Sequence, residues 1–361
     1  MTPPPHAAAL PPVRLAGLGQ ALAPHRLAQD EALGWARERF AGRYPGFERM
    51  VPVFANTGIG ERQIAMPVEW YLAPQDWATR TAAYRTVASD LYVAAARDAL
   101  DAAQCRADAI DIVVTVSTSG IATPSLDALV HGRLGLRADV VRVPVFGLGC
   151  AGGIAGLALG ARLAATRPGA RVLVVAVELC SLSFRDDLVN KANIVATALF
   201  GDGAAAAVLA ADQAPGLRIS AAAEHLWRDT IDVMGWDVAP QGLGVVFAQS
   251  IPALVAREMA RTTDALCARL GLERADIGRL ACHPGGAKVL AAIETALALD
   301  AGTLAAERAV LADHGNMSAP TVLVVLKRLL AAGDLPLAAP TLAMALGPGF
   351  TLNAVRLDHA A

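Results

Sequence analysis

The chain has 361 residues, of which 55% are hydrophobic, 18% charged and 5% aromatic, and its formal net charge is −2. This composition excludes an intrinsically disordered chain and, without a basic surplus, gives no indication of a nucleic-acid partner. The length allows one large or two medium domains with a substantial core.

Cysteine usage and the N-terminus both indicate a reduced, cytoplasmic protein. The cysteines are odd in number and show neither Cys-x-x-Cys nor Cys/His metal-ligand spacing, so no disulfide framework and no metal site is predicted. Residues 1–12 lack the basic and apolar regions of a signal peptide, and we expect a frayed tail there. The five cysteines are Cys105, Cys150, Cys180, Cys267 and Cys282.

The first half of the chain alternates predicted strands and helices joined by short glycine turns, which favours an α/β fold around a buried sheet. The segment from Glu69 to Tyr71, with Trp77, is open to two interpretations, an entrance or a cap on the core. The predicted elements are a strand at 13–18, helices at 29–40 and 82–103, a strand at 110–116, a helix at 125–134, a strand at 140–146, a helix ending near 162, and strands at 171–178 and 204–209.

The second half follows a similar order of elements after a Pro/Gly break at 212–216, so we predict two similar units, 1–214 and 215–361. The units share this order without a close sequence repeat. The predicted elements are a strand at 217–222, an irregular stretch through 236, a helix at 251–270, a strand at 279–282, helices at 287–297 and 320–332, and strands at 342–346 and 350–357.

Cys150 lies at the most informative turn of the chain. It follows the apolar run at 140–146, predicted to be a buried strand, and precedes a glycine-rich helix predicted to be buried all round. Glycine costs about 1 kcal/mol in a helix interior, so Gly153 and its neighbouring glycines predict close approach of another backbone. A helix N-terminus favours a thiolate, as a nucleophilic cysteine requires.

Two simpler interpretations of this segment stay open. No charge occurs between Arg142 and Arg162, a pattern also found in membrane spans, although the glycines and Pro144 argue against one. Cys150 is also compatible with an ordinary buried cysteine.

His283 and Asn316 lie at two further turns framed by glycine. With Cys150 they would form a Cys–His–Asn set, in which the imidazolium holds the thiolate while His and Asn donate to one oxyanion. Taken singly, each has a structural explanation, as a buried histidine or a helix cap. His314 competes with His283, but we rank it lower because it lies on the other side of the Asn316 turn.

Five motifs, in this order, resemble those of the type III polyketide synthases, the chalcone and stilbene synthase superfamily. The resemblance runs from about 13 to 357, and its last two motifs favour this family over the ketoacyl-ACP synthases III, which share Cys-His-Asn. The segment at 177–200 resembles bacterial members more than plant members. The motifs are Gly149-Cys150-Ala151-Gly152-Gly153, Leu199-Phe200-Gly201-Asp202-Gly203-Ala204, His283-Pro284-Gly285-Gly286, Gly315-Asn316-Met317-Ser318 and Gly347-Pro348-Gly349-Phe350.

This resemblance implies a thiolase fold, in which two similar halves form five layers, αβαβα, within a homodimer. It also implies that Cys150 takes an acyl starter from coenzyme A and pairs with His283. His283 and Asn316 would stabilise the enolate left when malonyl-CoA loses CO2, because two preorganised donors stabilise charge on one oxygen. The enolate would then attack the Cys150 thioester. Acyl-CoA and malonyl-CoA are the implied substrates, without a cofactor, a metal or a membrane span.

The resemblance assigns further residues around this centre. Phe200 matches the gate between a coenzyme A tunnel and the cavity, with core packing as the alternative. Arg49 and Lys288 match basic positions that meet coenzyme A phosphates, and would otherwise be solvated surface. The implied cavity residues are Thr118, Cys180, Ser183 and Ser318, with Gly347, Pro348 and Gly349 in the loop that shapes the cavity.

Several positions depart from the plant enzymes, so a chalcone-type product is not inferred. Val245 stands near the second gate phenylalanine, Trp236 stands near a cavity glycine, and residues 196–197 replace Gly-Gln. The small side chains of Cys180 and Ser183 leave room for an aliphatic starter. We therefore expect long-chain acyl-CoA starters and alkylpyrone or alkylresorcinol products.

Two rival functions fit the same residues. A ketoacyl-ACP synthase III would make a single condensation and would need malonyl-ACP. A non-catalytic binding protein of the same fold would have no need of the intact Cys150, His283 and Asn316. Starter identity, number of extensions and cyclisation mode depend on the volume of the cavity and are not predicted from the sequence.

Overall fold

The computed structural model describes residues 12–359, so the predicted N-terminal tail lies outside the described residues except for Pro12. This range forms thirteen strands and eleven α-helices. The strands are β1 (Val13–Leu22), β2 (His25–Ala28), β3 (Glu61–Ile64), β4 (Ile112–Val116), β5 (Val141–Val145), β6 (Arg171–Leu179), β7 (Asp202–Ala210), β8 (Leu217–Leu226), β9 (Met234–Ala239), β10 (Gly242–Phe247), β11 (Arg279–Cys282), β12 (Thr341–Gly347) and β13 (Thr351–Asp358). The helices are α1 (Gln29–Phe40), α2 (Val51–Asn56), α3 (Val68–Leu72), α4 (Trp77–Ala102), α5 (Leu126–Leu134), α6 (Gly152–Ala164), α7 (Lys191–Leu199), α8 (Ile251–Arg269), α9 (Ala287–Leu297), α10 (Ala305–His314) and α11 (Ala319–Ala332).

Nine of these strands form one continuous mixed sheet in the order β11-β12-β13-β8-β1-β7-β6-β4-β5. β4 runs parallel to both β5 and β6, whereas β1 pairs antiparallel with β7 on one side and β8 on the other. The β1–β8 pairing joins strands from the two predicted halves, so the sheet continues across the break at 212–216. The division into units 1–214 and 215–361 therefore stays a prediction.

Alternate residues of each central strand face two different layers of helices. In β6, Leu173, Val175 and Val177 pack into the core formed with α4 and α5. Val172 and Val174 pack into the core formed with α6 and α11. This period of two is expected of a strand buried on both faces. In the second half, β8, β12 and β13 are covered by α6 and α11 on one face and by α8 and α9 on the other. The predicted αβαβα layering is confirmed.

The central layer consists of α6 against α11, and their backbones approach most closely at Gly153. A Cβ at Gly153 would lie 2.3 Å from the Ala319 carbonyl oxygen, so only glycine fits. This confirms the close approach predicted from the glycine-rich segment. At Gly160 an added Cβ would instead meet the Val174 side chain, at 2.7 Å. No helix within residues 12–359 has both the length and the apolar character needed to cross a membrane.

β5 corrects one prediction, because it is not a buried strand. It lies at one end of the nine-stranded sheet and, among the described residues, pairs only with β4. Val141 is 55% exposed, and Phe146, just beyond the strand, is 60% exposed. An apolar run does not distinguish a central strand from an edge strand, because that depends on which neighbours the fold supplies.

Two element boundaries also differ from the prediction. β1 continues through the predicted stop at Gly17 to Gly19, because α4 packs directly on it: a Cβ at Gly19 would lie 2.2 Å from the Ala95 carbonyl oxygen. α4 begins at Trp77, earlier than predicted, because the Asp76 carboxylate accepts a hydrogen bond from the Thr79 N–H and caps the helix.

The hairpin of β9 and β10 occupies a stretch predicted to be irregular. Trp236 on β9 lies opposite Val245 on β10. β9 is partly exposed on both faces, so it lacks the alternation of buried and exposed residues that identifies a strand. The small β2–β3 sheet and helices α2 and α10 are likewise absent from the prediction.

Replacing Gly153 by Ala should destabilise the protein by about 3 kcal/mol, because the new methyl group overpacks against the α11 backbone. Gly34→Ala on α1 is the matched control. Nothing lies within 4 Å of a Cβ there, so this change should stabilise by up to about 1 kcal/mol. Urea unfolding of both variants measures the difference. Similar free energies of unfolding for the two variants would contradict the proposed close packing of α6 on α11.

Candidate active site

Cys150 lies in a single turn of 3₁₀ helix, Gly149–Ala151, directly before α6. The side chain is buried. Gly149 adopts a positive φ of 45°, and its N–H donates to the Thr118 Oγ1 at 3.0 Å. The cysteine therefore sits at the strand-to-helix turn, as predicted.

The loop of Gly347, Pro348 and Gly349 closes over this turn from between β12 and β13. A Cβ at Gly149 would lie 2.8 Å from Pro348 Cδ, and a Cβ at Gly347 would lie 2.5 Å from the Ala151 Cβ. Loop and turn are therefore packed too closely to admit a side chain at either glycine.

Asn316 lies beside Cys150 at the turn between α10 and α11. Its Oδ1 accepts from the Ser318 N–H at 2.8 Å and faces the Cys150 Sγ at 4.0 Å. Its Nδ2 donates to the Gly285 carbonyl oxygen at 3.3 Å. One amide thus connects the cysteine with the segment that carries His283. Ser318 holds a positive φ of 60°, a strain of roughly 1–3 kcal/mol that packing must sustain.

His283 follows β11 and is buried. Its backbone N–H donates to the Met344 carbonyl oxygen at 2.9 Å. Neither ring nitrogen has a hydrogen-bond partner within residues 12–359. Leaving a buried polar group unsatisfied costs about 1–3 kcal/mol, so a hydrogen bond from the ring to a substrate oxygen or thiol would be favourable. Burial lowers the pKa of His283 to about 3, so the ring is neutral and carries a single N–H donor.

Burial works against the predicted thiolate at Cys150. Burial raises the pKa of the thiol to about 11, while the Ser318 and Asn316 side chains act in the opposite direction and only partly offset it. Desolvation therefore opposes the thiolate that the helix N-terminus favours. Burial favours the uncharged form of both Cys150 and His283.

The rival histidine, His314, lies at the end of α10. Its Nδ1 contacts the Gln63 Oε1 on β3 at 3.0 Å. This contact supports its lower ranking.

Phe200, Cys180 and Ser183 line one pocket, here called the inner pocket, of about 50 Å³. The Phe200 ring lies 6.2 Å from the Trp236 ring, centroid to centroid. Tyr71 is part of the wall but is buried within the hydrophobic core, which favours the core interpretation for that segment. The remaining walls are Leu27, Trp35, Arg62, Ile64, Ser181, Phe184, Asn193, Ala196, Thr197, Trp236 and Val245.

Arg49 and Lys288 line a second, larger cavity of about 530 Å³, here called the outer cavity. Gly285, two residues after His283, is also in its wall. Leu199 lines the outer cavity and the next residue, Phe200, lines the inner pocket, so this pair stands between the two.

The other predicted cavity residues support the Cys150 turn instead. Within the described chain, Thr118 and Ser318 line neither the inner pocket nor the outer cavity, and nor does the Gly347-Pro348-Gly349 loop. Thr118 holds Gly149, Ser318 bonds Asn316, and the loop packs on Gly149 and Ala151.

Comparison with known proteins adds to this geometry. The family model described as "Chalcone and stilbene synthases, N-terminal domain" matches residues 75–213, and the corresponding C-terminal domain matches residues 218–360. The chain belongs to the chalcone and stilbene synthase family. It is therefore a type III polyketide synthase, an acyltransferase, and the predicted family is confirmed.

Bacterial relatives of this polyketide synthase match over nearly their whole length. A "1,3,6,8-tetrahydroxynaphthalene synthase" of Streptomyces peucetius is 39% identical over 351 residues, covering 95% of this chain and 92% of the relative. A "putative chalcone synthase" of Bacillus subtilis is 35% identical over 347 residues, covering 92% and 95%. The solved tetrahydroxynaphthalene synthase of Streptomyces coelicolor superposes with a TM-score of 0.92 at 28% identity, over 96% of this chain and 100% of that one. The thiolase-like fold is confirmed.

Two residues of this polyketide synthase site escape prediction from the sequence. Lys191, the first residue of α7, lines the outer cavity and donates to the Gln249 Oε1 at 2.6 Å. Glu178 is fully buried, and its carboxylate accepts from the N–H groups of Thr118 and Ser119. Burial raises the pKa of Glu178 to about 7. The sequence signal that could have identified Glu178 is its position as a charged residue near the end of an otherwise apolar strand.

Proposed function

We propose that this enzyme builds polyketides from coenzyme A thioesters, with Cys150 as the acyl-carrying nucleophile and His283 and Asn316 as donors to the reacting oxygen. The observation that carries the proposal is the Asn316 amide, which faces the Cys150 thiol at 4.0 Å and bonds the Gly285 carbonyl beside His283. The outer cavity has Gly285 in its wall, so a thioester entering through it arrives beside the segment that carries His283.

The first step loads the starter. The Cys150 sulfur attacks the carbonyl carbon of the acyl-CoA thioester, and the thiol proton moves to His283. The tetrahedral intermediate then collapses as its carbon–sulfur bond to coenzyme A breaks, and His283 returns the proton to the departing thiolate. A neutral imidazole can accept this proton, whereas an imidazolium could not.

The second step extends the chain. The bond between the carboxylate and C2 of malonyl-CoA breaks and CO2 leaves, while the electron pair of that bond stays with the thioester as an enolate. The enolate oxygen accepts hydrogen bonds from His283 and from Asn316 Nδ2. The enolate carbon attacks the Cys150 thioester and displaces the cysteine sulfur. The lengthened chain is then attached to the coenzyme A of the extender.

The inner pocket favours a small starter. Its volume of about 50 Å³ is well below the roughly 300–1,000 Å³ of typical ligand pockets. Phe200 and Trp236 form part of its wall. The long-chain starter expected from the sequence, with alkylpyrone or alkylresorcinol products, is the second candidate. The apolar wall of Leu27, Trp35 and Phe184 supports it, although Trp236 would have to move.

Radiolabelled malonyl-CoA with a panel of acyl-CoAs, without carrier protein, tests the reaction and the starter together. We expect products with malonyl-CoA alone or with short acyl-CoAs, and none from Cys150→Ala. Trp236→Ala should raise kcat/KM for a twelve-carbon starter by about tenfold, the effect of roughly 1.4 kcal/mol. Best turnover of long-chain starters by the wild type would favour the second candidate, and dependence on malonyl-ACP would favour the ketoacyl-ACP synthase reaction.

Arg49, Lys191 and Lys288 are proposed to hold the coenzyme A phosphates. All three line the outer cavity, and within residues 12–359 none forms a salt bridge. A net charge of −2 provides no general attraction for phosphate, so local cations must supply it.

Lys288→Gln and Arg49→Gln should each raise KM for malonyl-CoA by about tenfold, corresponding to roughly 1.4 kcal/mol of lost phosphate contact. Neither change should alter turnover of the N-acetylcysteamine thioester of malonate, which lacks the phosphates. Arg218→Gln, on an exposed basic residue of β8 outside the cavity, is the control. Equal losses with both thioesters would contradict phosphate binding.

We also propose that the enzyme forms a homodimer through β5. Within residues 12–359, β5 ends the nine-stranded sheet with one side unpaired, and Val141 and Phe146 are exposed beside it. Unpaired apolar edges are normally covered in native proteins, and a second copy related by a two-fold axis would cover this one. The five cysteines, all free, support the expected cytoplasmic location, which fractionation of the source cells would test.

Phe146→Asp should therefore shift the enzyme towards monomer in sedimentation velocity, because a charge would be buried at the joined edges. Leu337→Asp, at an apolar residue that is 80% exposed away from β5, should leave the dimer intact. A monomeric wild type, or equal effects of the two variants, would argue against this interface.

A further inference from the structure

Arg62, on β3, is a buried charge with no place in the proposed chemistry. It is 1% exposed, although arginine is almost never fully buried unless it is paired. Within residues 12–359 it forms no salt bridge, and the Asp202 carboxylate partly compensates its charge from a distance. Burial lowers the pKa of Arg62 to about 10, so the guanidinium stays charged at neutral pH.

The guanidinium hydrogen-bonds to the C-terminal end of α7. Its Nη1 donates to the carbonyl oxygens of Thr197 at 2.6 Å and Phe200 at 3.5 Å, and its Nη2 donates to the Gln29 side chain. Gln29 in turn donates to the Ala198 carbonyl oxygen at 3.0 Å. Arg62 and Gln29 together cap carbonyl groups that the last turn of a helix leaves unsatisfied.

The same segment is bonded to the proposed catalytic asparagine. The Asn316 N–H donates to the Leu199 carbonyl oxygen, and the Gly201 N–H donates to the Asn316 carbonyl oxygen, both at 3.0 Å. A Cβ at Gly201 or Gly315 would lie 3.2 or 3.3 Å from the Arg62 Cβ. The Cβ of Arg62 therefore packs against the turns at Gly201 and Gly315, while its guanidinium caps α7.

We propose that Arg62, with Gln29, is a positioning residue that holds Phe200 and Asn316 in one arrangement, and so controls malonyl decarboxylation and condensation through them. The inference rests on the proposed function, because it assigns Asn316 to the extension step. Loading of the starter requires Cys150 and His283, which lie outside the Arg62 contacts. The two half-reactions should therefore respond differently to changes at Arg62.

Arg62→Lys tests this separation, because lysine keeps the charge but cannot reproduce the forked donors. We expect single-turnover acylation of Cys150 by labelled starter CoA to stay within about twofold of the wild type. The kcat for condensation should fall at least about tenfold, with KM for malonyl-CoA nearly unchanged, since about 1.4 kcal/mol of transition-state stabilisation is lost. Parallel losses in both half-reactions, matching the loss of folded protein, would overturn the proposal.

Arg185→Lys is the matched control. Arg185 is also buried, at 5% exposed, and also donates to a backbone carbonyl, that of Gly242 at 3.3 Å, but it lies outside the Asn316 contacts. It should leave the ratio of acylation to condensation unchanged, and an equal shift in that ratio would overturn the assignment to Arg62.

Gln29→Leu keeps the proposal testable if Arg62→Lys does not fold. It removes the bond to the Ala198 carbonyl but leaves the guanidinium in place, so the same shift in ratio should appear at about threefold. An unchanged ratio in a folded Gln29→Leu would overturn the role of the pair. A wild type that acylates Cys150 but makes no polyketide would instead refute the proposed function.

Discussion

The close packing of α6 on α11 is the constraint on which the site depends. Cys150 precedes the first of these helices and Asn316 precedes the second, so the contact of Gly153 with the Ala319 carbonyl sets the distance between thiol and amide. A larger residue at Gly153 would separate the two side chains as well as the helices. Both residues also lie near helix N-termini, where backbone dipoles favour developing negative charge. The proposed chemistry is therefore a consequence of how the central layer is packed.

Burial decides the electrostatics of this centre. It raises the pKa of Cys150 and lowers that of His283, and so favours the uncharged form of each side chain. The supporting polar groups are satisfied, as in the hydrogen bonds of Glu178, whereas the His283 ring has no partner in the described part of the chain. In such a low-dielectric setting, an unpaired donor interacts strongly with an anionic oxygen when one forms nearby. The desolvation that disfavours the resting thiolate thus strengthens the interaction proposed for the enolate.

The segment of Leu199 and Phe200 links substrate passage to the reacting groups. One residue faces the outer cavity and the other the inner pocket, and the backbone between them and Gly201 is bonded to Asn316. A displacement of this segment would change both the passage between the outer cavity and the inner pocket and the position of Asn316. The β9–β10 hairpin adds Trp236 and Val245 to the inner pocket, so the size of the starter depends on a hairpin that is remote in sequence from Cys150.

The sequence by itself determined the central strands and helices, the backbone approach at Gly153, and the turns that carry Cys150, His283 and Asn316. These follow from local patterns: strands buried on both faces are continuously apolar, and glycine recurs where backbones meet. Only the tertiary structure decided that β5 is an exposed edge, that Cys150 is buried where desolvation opposes a thiolate, and that Arg62 caps α7. Edge position, burial and pairing each depend on partners far away in the sequence, which no local pattern records.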